Sequence, residues 1–170
     1  KFFDHDGNGR SWYSFYHGGV HFVGLNNVQN FKLGTLAALG TEQLAWLKAD
    51  LAGVAHSTPL VVLAHIPLWT IWAPWGWGTA DSDEAMAMLR SKGITTVQDA
   101  LVTEGALEVY EALASAGDLK MRVRASLISE IGNDEAEYQR LLGLRAKYAQ
   151  HPLIQADAVK IFSDGVIEYP

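Results

Sequence analysis

Cysteine is absent from the 170 residues. That excludes disulfides, thiolate metal sites and thiol nucleophiles, and leaves His and carboxylates as the ligands for any transition metal. It says little about compartment, so localisation stays open. Long apolar runs are missing too. None approaches the roughly 20 residues of a membrane-spanning helix, and the opening KFFDHDGNGR lacks the apolar segment of a secretory signal. The sequence thus predicts no membrane partner and shows no targeting segment. Positive charge is scarce, with 13 Lys plus Arg against 19 Asp plus Glu and a net charge of -6. The basic residues are scattered rather than striped, which argues against a nucleic-acid partner. Repeats, low-complexity tracts and Pro-, Gly- or Ser-rich linkers are likewise lacking. What is present is a 49% hydrophobic composition, enough for a sizeable core in a chain of one-domain length.

The pattern along the chain predicts alternating strands and helices. VHFVGLN, Val20 to Asn26, mixes β-branched and aromatic residues as a strand does. It follows YSFY through the turn His17-Gly18-Gly19, so a hairpin is expected. Thr41, then Glu42 and Gln43, then Leu44, Leu47 and Leu51 at helical spacing predict a capped amphipathic helix ending at Gly53. LVVLA, Leu60 to Ala64, is a continuous apolar run and predicts a strand covered on both faces, with His65 at its C-terminal end. PLWTIWAPWGWGT is loop chemistry rich in Trp, and Asp81 or Ser82 is placed to cap a helix reaching about Ser91. Beyond it, ITTVQDA and MRVRASL predict strands, and AVKIFSDG another buried strand ending in a turn. Between them fall helices from Gly105 to Ala116, stopped by Gly117, and from Asn133 to Gln150. Such alternation belongs to a parallel α/β layer or a section of a (β/α)8 barrel.

Strand ends in α/β folds are where ligands bind, because a side chain there reaches a crevice while its backbone stays in the sheet. His65 holds such a place, although a lone His after an apolar run more often serves only as a hydrogen-bonded core or loop residue. The blocks YSFYHGGVHFVGLN, EQLAWLKADLA, PLVVLAHIPLW and WGWGTADSDEAMAMLR, in that order and spacing, resemble the second half of calcineurin-like metallophosphoesterases. The resemblance implies a β-sandwich with flanking helices and two divalent ions, Mn, Fe, Zn or Ni, which stabilise the attacking and leaving oxygens of a phosphoester displacement. His65 matches a metal ligand of that family. The Trp-rich loop, with Trp69, Trp75 and Trp77, resembles a loop lying beside the phosphate site. The resemblance places the family's Asp-x-His, Gly-Asp and Gly-Asn-His blocks ahead of residue 1 and its Gly-His-x-His after the helix at Glu84 to Arg90, where the sequence does not carry it, so an incomplete binuclear site is expected.

From about Leu89 onward, LRSKGITTVQDA, ALEVYEALASAGDLKMRVRASL and AVKIFSDGVIEYP are similar to amidohydrolases that cleave C–N bonds. There the resemblance implies a carbamylated lysine bridging two metals, and Lys160, between Val159 and Ile161, is the matching position. An amine among apolar strand residues would be desolvated and biased toward the neutral form that reacts with CO2. The alternative is an edge lysine that reaches water along its own stem.

Other constellations are expected to be structural. Asp4-His5-Asp6-Gly7-Asn8-Gly9 opens like an EF-hand loop, but its twelfth position is Phe15 rather than Glu, so a solvated turn is predicted. His17 and His21 have a helical metal spacing yet fall in hairpin sequence, which predicts a hairpin surface. Glu130, Asp134, Glu135 and Glu137 suit the first turn of a helix. The Trp residues could stack on sugars or bases, though packing over a site or core is the commoner use.

The sequence therefore predicts an α/β chain in two parts. Residues 1–90 form a partial metallophosphoesterase β-sandwich with flanking helices, and residues 91–170 form partial (β/α)8-barrel units. Three functions follow: metal-dependent hydrolysis of a small phosphoester, amidohydrolase action on C–N bonds, or a non-catalytic fusion or fragment product. Exposed sheet edges left by either fragment would favour self-association.

Overall fold

The computed structural model describes residues 10–28, 36–68, 78–129, 132 and 134–162. The chain forms two compact units, Lys1–Ile94 and Thr95–Pro170. It is mixed α/β, and the described residues comprise four helices and two three-stranded sheets, one of them all-parallel.

Unit 1 begins with β1, Tyr13–His17, and β2, Val20–Leu25, paired antiparallel with His17 opposite Val20. Their two-residue turn needs positive φ, and glycine supplies it: Gly18 has φ 58° and Gly19 φ 79°. β3, Leu60–Ala64, adds parallel to β2 to give the order β1-β2-β3. The register aligns Ser14, Val23 and Val62 on one face, and Phe15, Phe22 and Val61 on the other. The first face carries the core. Against Val23 and Leu25 lie Leu44, Leu47 and Leu51 of α1, Thr41–Ala52, and Ala85 and Leu89 of α2, Ser82–Ser91. Full burial of each leucine contributes about 1.5–3 kcal/mol.

Three expectations for unit 1 are corrected. LVVLA is not covered on both faces: Leu60 and Val62 pack on the core, while Val61 is 39% and Leu63 54% exposed. β3 has one strand neighbour among the described residues, and both helices of the cluster sit on the other face. Thr41 does not cap α1; it is the first helical residue, and Gly40 precedes it without a side-chain cap. Asp81 stands at the N-cap of α2 but makes no cap bond there. Its carboxylate instead accepts from Leu39 N at 2.9 Å and Gly40 N at 2.7 Å, so one side chain ties together the starts of both helices. Gly53 does end α1.

Unit 2 runs β4 Thr96–Val102, α3 Glu104–Ser115, β5 Arg122–Ser129, α4 Glu135–Tyr148 and β6 Ile154–Ile161. Its strands are parallel in the order β4-β5-β6. Each helix is capped by a side chain. Thr103 Oγ1 accepts from Ala106 N, and the Asp134 carboxylate accepts from Ala136 N and Glu137 N. Glu135 and Glu137 fill the first turn of α4, as the acidic run suggested, while Glu130 lies outside the described residues. The core gathers Val102, Leu107, Tyr110, Val123, Leu127, Leu144, Tyr148 and Ile154. AVKIFSDG is not a buried strand: Ile154 and Ala156 are enclosed, but Val159 is 51% and Ile161 54% exposed. Burial is lost toward the C-terminal end of β6, past a register irregularity against β5.

Candidate functional site

His65 directly follows β3 and is exposed. The backbone behind it is held by a buried polar knot. Asn27, wholly buried, donates from Nδ2 to Ile66 O at 2.7 Å and to Thr79 Oγ1 at 2.9 Å, and its Oδ1 accepts from Ile66 N at 3.1 Å. Thr79 Oγ1 donates in turn to Pro67 O at 3.1 Å. Ile66 is itself fully buried. The imidazole thus projects from a backbone fixed by one amide side chain, which supports positioning of a ligand or base. Neither Asn27 nor Thr79 emerges from the sequence as a site residue; the one local signal is a polar pair, Asn26-Asn27, at the end of an apolar strand. Trp69, Trp75 and Trp77 lie outside the described residues, as does the Asp4–Gly9 motif.

The hairpin histidines differ from expectation. His17 is exposed, but His21 is only 2% exposed because its strand position faces the core and α1 lies over it. Its Nε2 is 2.7 Å from Asp50 Oδ2, while Asp50 Oδ1 accepts from Ser14 Oγ at 2.5 Å. The Tyr16 ring lies 4.4 Å from the imidazole. An ionised carboxylate only accepts, which assigns the proton to Nε2. Nδ1 is buried with no hydrogen-bond partner among the described residues. The carboxylate stands between hydroxyl and imidazole, so this is not the nucleophile-to-base order that activates a serine.

Lys160 lies one residue from the C-terminal end of β6, opposite Ile128. It is half-buried, and its Nζ rests 4.9 Å from the centroid of the Phe162 ring, a cation–π distance. Among the described residues no three His, Asp or Glu side chains come together as possible metal ligands, at His65, Lys160 or elsewhere. By themselves these residues do not fit a binuclear centre, whose two ions require more donors than one imidazole or one lysine.

The titrations perturbed most belong to packing contacts in unit 2. Tyr110 OH donates to Asp99 Oδ2 at 2.8 Å, and burial, reinforced by the Asp99 charge, pushes its phenol above the ordinary range. Glu111 accepts from Lys147 Nζ and Tyr148 OH, which hold its carboxyl below the usual value and push Lys147 up to about 12. These groups join α3 to β4 and α3 to α4.

No protein-family model matches the chain, and comparison with curated proteins and with solved structures returned no match.

Proposed function

We propose that unit 1 is part of a metallophosphoesterase β-sandwich in which His65 ligates a divalent ion of the Mn, Fe, Zn or Ni type. Its function is then that of a metal-dependent phosphoester hydrolase whose binuclear site these residues supply only in part. The observation that carries the reading is an exposed imidazole at the C-terminal end of a parallel strand, with the following peptide clamped by Asn27. Among the described residues the second face of the unit 1 sheet carries no covering layer, which supports its reading as one layer of a sandwich. With a single donor at this strand end among the described residues, the isolated chain is expected to bind divalent ions weakly and to give no turnover of bis-p-nitrophenyl phosphate above a metal-only control. Turnover with Mn2+, Zn2+ or Ni2+ that disappears in His65→Ala would overturn the incomplete-site reading. A non-catalytic fusion or fragment product predicts the same silence, but without any metal broadening of His65 resonances, and that measurement separates the two.

A second reading rests on the parallel βαβαβ order of unit 2, which supports a section of an amidohydrolase-type barrel with Lys160 near its ligand-bearing end. Carbamylation of Lys160 would raise the native mass in bicarbonate by about 44 Da, the mass of CO2 held at a metal-stabilised lysine. With no ligand group gathered there among the described residues, no such gain is expected. Sheet edges that pair with no further strand among the described residues suit self-association, and sedimentation against concentration measures it.

A further inference from the structure

At the opposite end of the unit 2 sheet from Lys160, the segments entering its three strands surround a small open cavity of about 250 Å3. It is lined by Thr95 just before β4, Lys120 just before β5, Arg122 at its start, and Pro152 and Leu153 just before β6. We propose that this cavity binds a small oxyanion, a phosphate or carboxylate group on a compact carrier. The inference rests on neither functional reading above.

Charge decides the ligand's sign. In a chain of net charge -6, two cations and no carboxylate line the cavity. Arg122 takes part in none of the ion pairs among the described residues, so its guanidinium keeps its donors. Its neighbour on the strand, Arg124, is instead paired with Asp157 at 2.6 Å. A planar guanidinium fork meets two oxygens of one phosphate or carboxylate at once, which makes Arg122 the principal contact. Lys120 Nζ donates to Gly117 O, near the end of α3, and retains two further donors. The Thr95 hydroxyl offers another. The local backbone does not compete, since Arg122 N is bonded to Thr95 O and Val123 N to Leu153 O.

Size decides the ligand's class. The volume falls below the roughly 300–1,000 Å3 of pockets that enclose drug-sized molecules, so the site takes a single anionic group with a short body. Pro152 and Leu153 give that body an apolar wall.

The test uses the full chain, labelled with 15N and titrated with sodium phosphate, and separately with sodium acetate, against sodium chloride at matched ionic strength. Saturable amide shifts confined to Thr95, Arg122, Val123 and Leu153 are expected. Arg122→Gln should weaken the interaction about tenfold, the scale of one charge-assisted contact. Lys120→Gln should weaken it less. Lys48→Gln, an exposed α1 lysine in unit 1, should leave it unchanged. Both arginine and lysine positions are exposed, so unaltered spectra elsewhere verify folding. Saturation by phosphate alone assigns a phosphoryl ligand, and saturation by acetate as well assigns oxyanions generally. Shifts that stay linear, spread over all basic residues or saturate at unchanged concentration in Arg122→Gln would overturn the site.

Discussion

The two units hold distant segments together by different means. In unit 1, buried or half-buried polar side chains cross long stretches of sequence: Asn27 reaches Ile66 and Thr79, Gln43 reaches Asn26, Asp81 reaches Leu39, and Asp50 joins Ser14 and His21. In unit 2 the interior among the described residues is mainly apolar, and ion pairs such as Arg124 with Asp157, Arg140 with Glu137 and Glu104, and Lys147 with Glu111 lie wholly or partly at the surface. A buried polar group that loses its partner keeps the full desolvation cost, whereas an exposed pair exchanges its partner for water. Equal numbers of hydrogen bonds therefore make unequal contributions. Unit 1 should be the more sensitive to loss of a single polar atom.

The largest test is Asn27→Ala, which takes the side-chain partner from both Ile66 N and Ile66 O and one of two contacts from Thr79 Oγ1. At about 1–3 kcal/mol for each buried unsatisfied group, the two backbone groups together should cost roughly 2–6 kcal/mol. Amide hydrogen exchange reads it locally: Ile66 and Ala37 should lose protection while Val123 and Leu127 keep theirs. Equal loss in both units would mean that they share one cooperative transition, and the comparison would fail.

A smaller effect is expected from Asp50→Ala, which leaves His21 buried with both ring nitrogens unpaired. About 2 kcal/mol is the scale of such a loss, seen as a lower urea midpoint for unit 1. Retention of the wild-type midpoint would place the strength of unit 1 in its leucines alone.

Tyr110→Phe probes the part-buried hydroxyl-to-carboxylate contact from α3 to Asp99 of β4 in unit 2, and about 1 kcal/mol is expected. It also carries a pH signature. The folded phenol titrates above its ordinary value, so the fold favours the protonated form. That stability is fully present below about pH 10, the unfolded value. It declines as the unfolded chain ionises and is lost as pH rises through the folded pKa. Burial and the bond to Glu111 raise the Tyr148 phenol as well, so phenolate absorbance should show a lagging fraction that shrinks, without vanishing, in Tyr110→Phe.

The least effect is predicted for Arg124→Gln at the exposed pair with Asp157, where a loss below about 1 kcal/mol is typical. If it matched Asn27→Ala, the distinction between buried and surface polar contacts would not describe this protein.

What could be read from the sequence was local. The Gly18-Gly19 turn, the leucines of α1, the stop at Gly117 and the strand–helix alternation of unit 2 depend on neighbours within a few residues, and each is present. Contacts that span the chain left no such mark. Asp81 has the residue type and position of a cap, yet its carboxylate serves a backbone 42 residues earlier. His21 looked like surface because nothing near it in sequence announces Asp50, 29 residues on. The apolar run of β3 stated its hydrophobicity but not what lies over each face, and an edge strand needs only one face covered. Of the candidate site, the place of His65 at a strand end was legible and the Asn27 knot beneath it was not.

Gly24 and Tyr13 face each other across β1 and β2, and a β-carbon added to the glycine would come within 3.0 Å of the Tyr13 ring. Tyr13 also stacks toward Phe15, and Phe15 toward Phe22 at 5.0 Å, so the ring cannot swing aside without disturbing a column of aromatics. The glycine is thus a socket whose tolerance is set by another residue. In a deep mutational scan the pair should behave as one position: Gly24→Ala harmful beside tyrosine, mild beside Tyr13→Ala, and the double variant better than the sum of the two singles. Epistasis of that kind would let sequence variation alone report that the two strands are paired, and in which register.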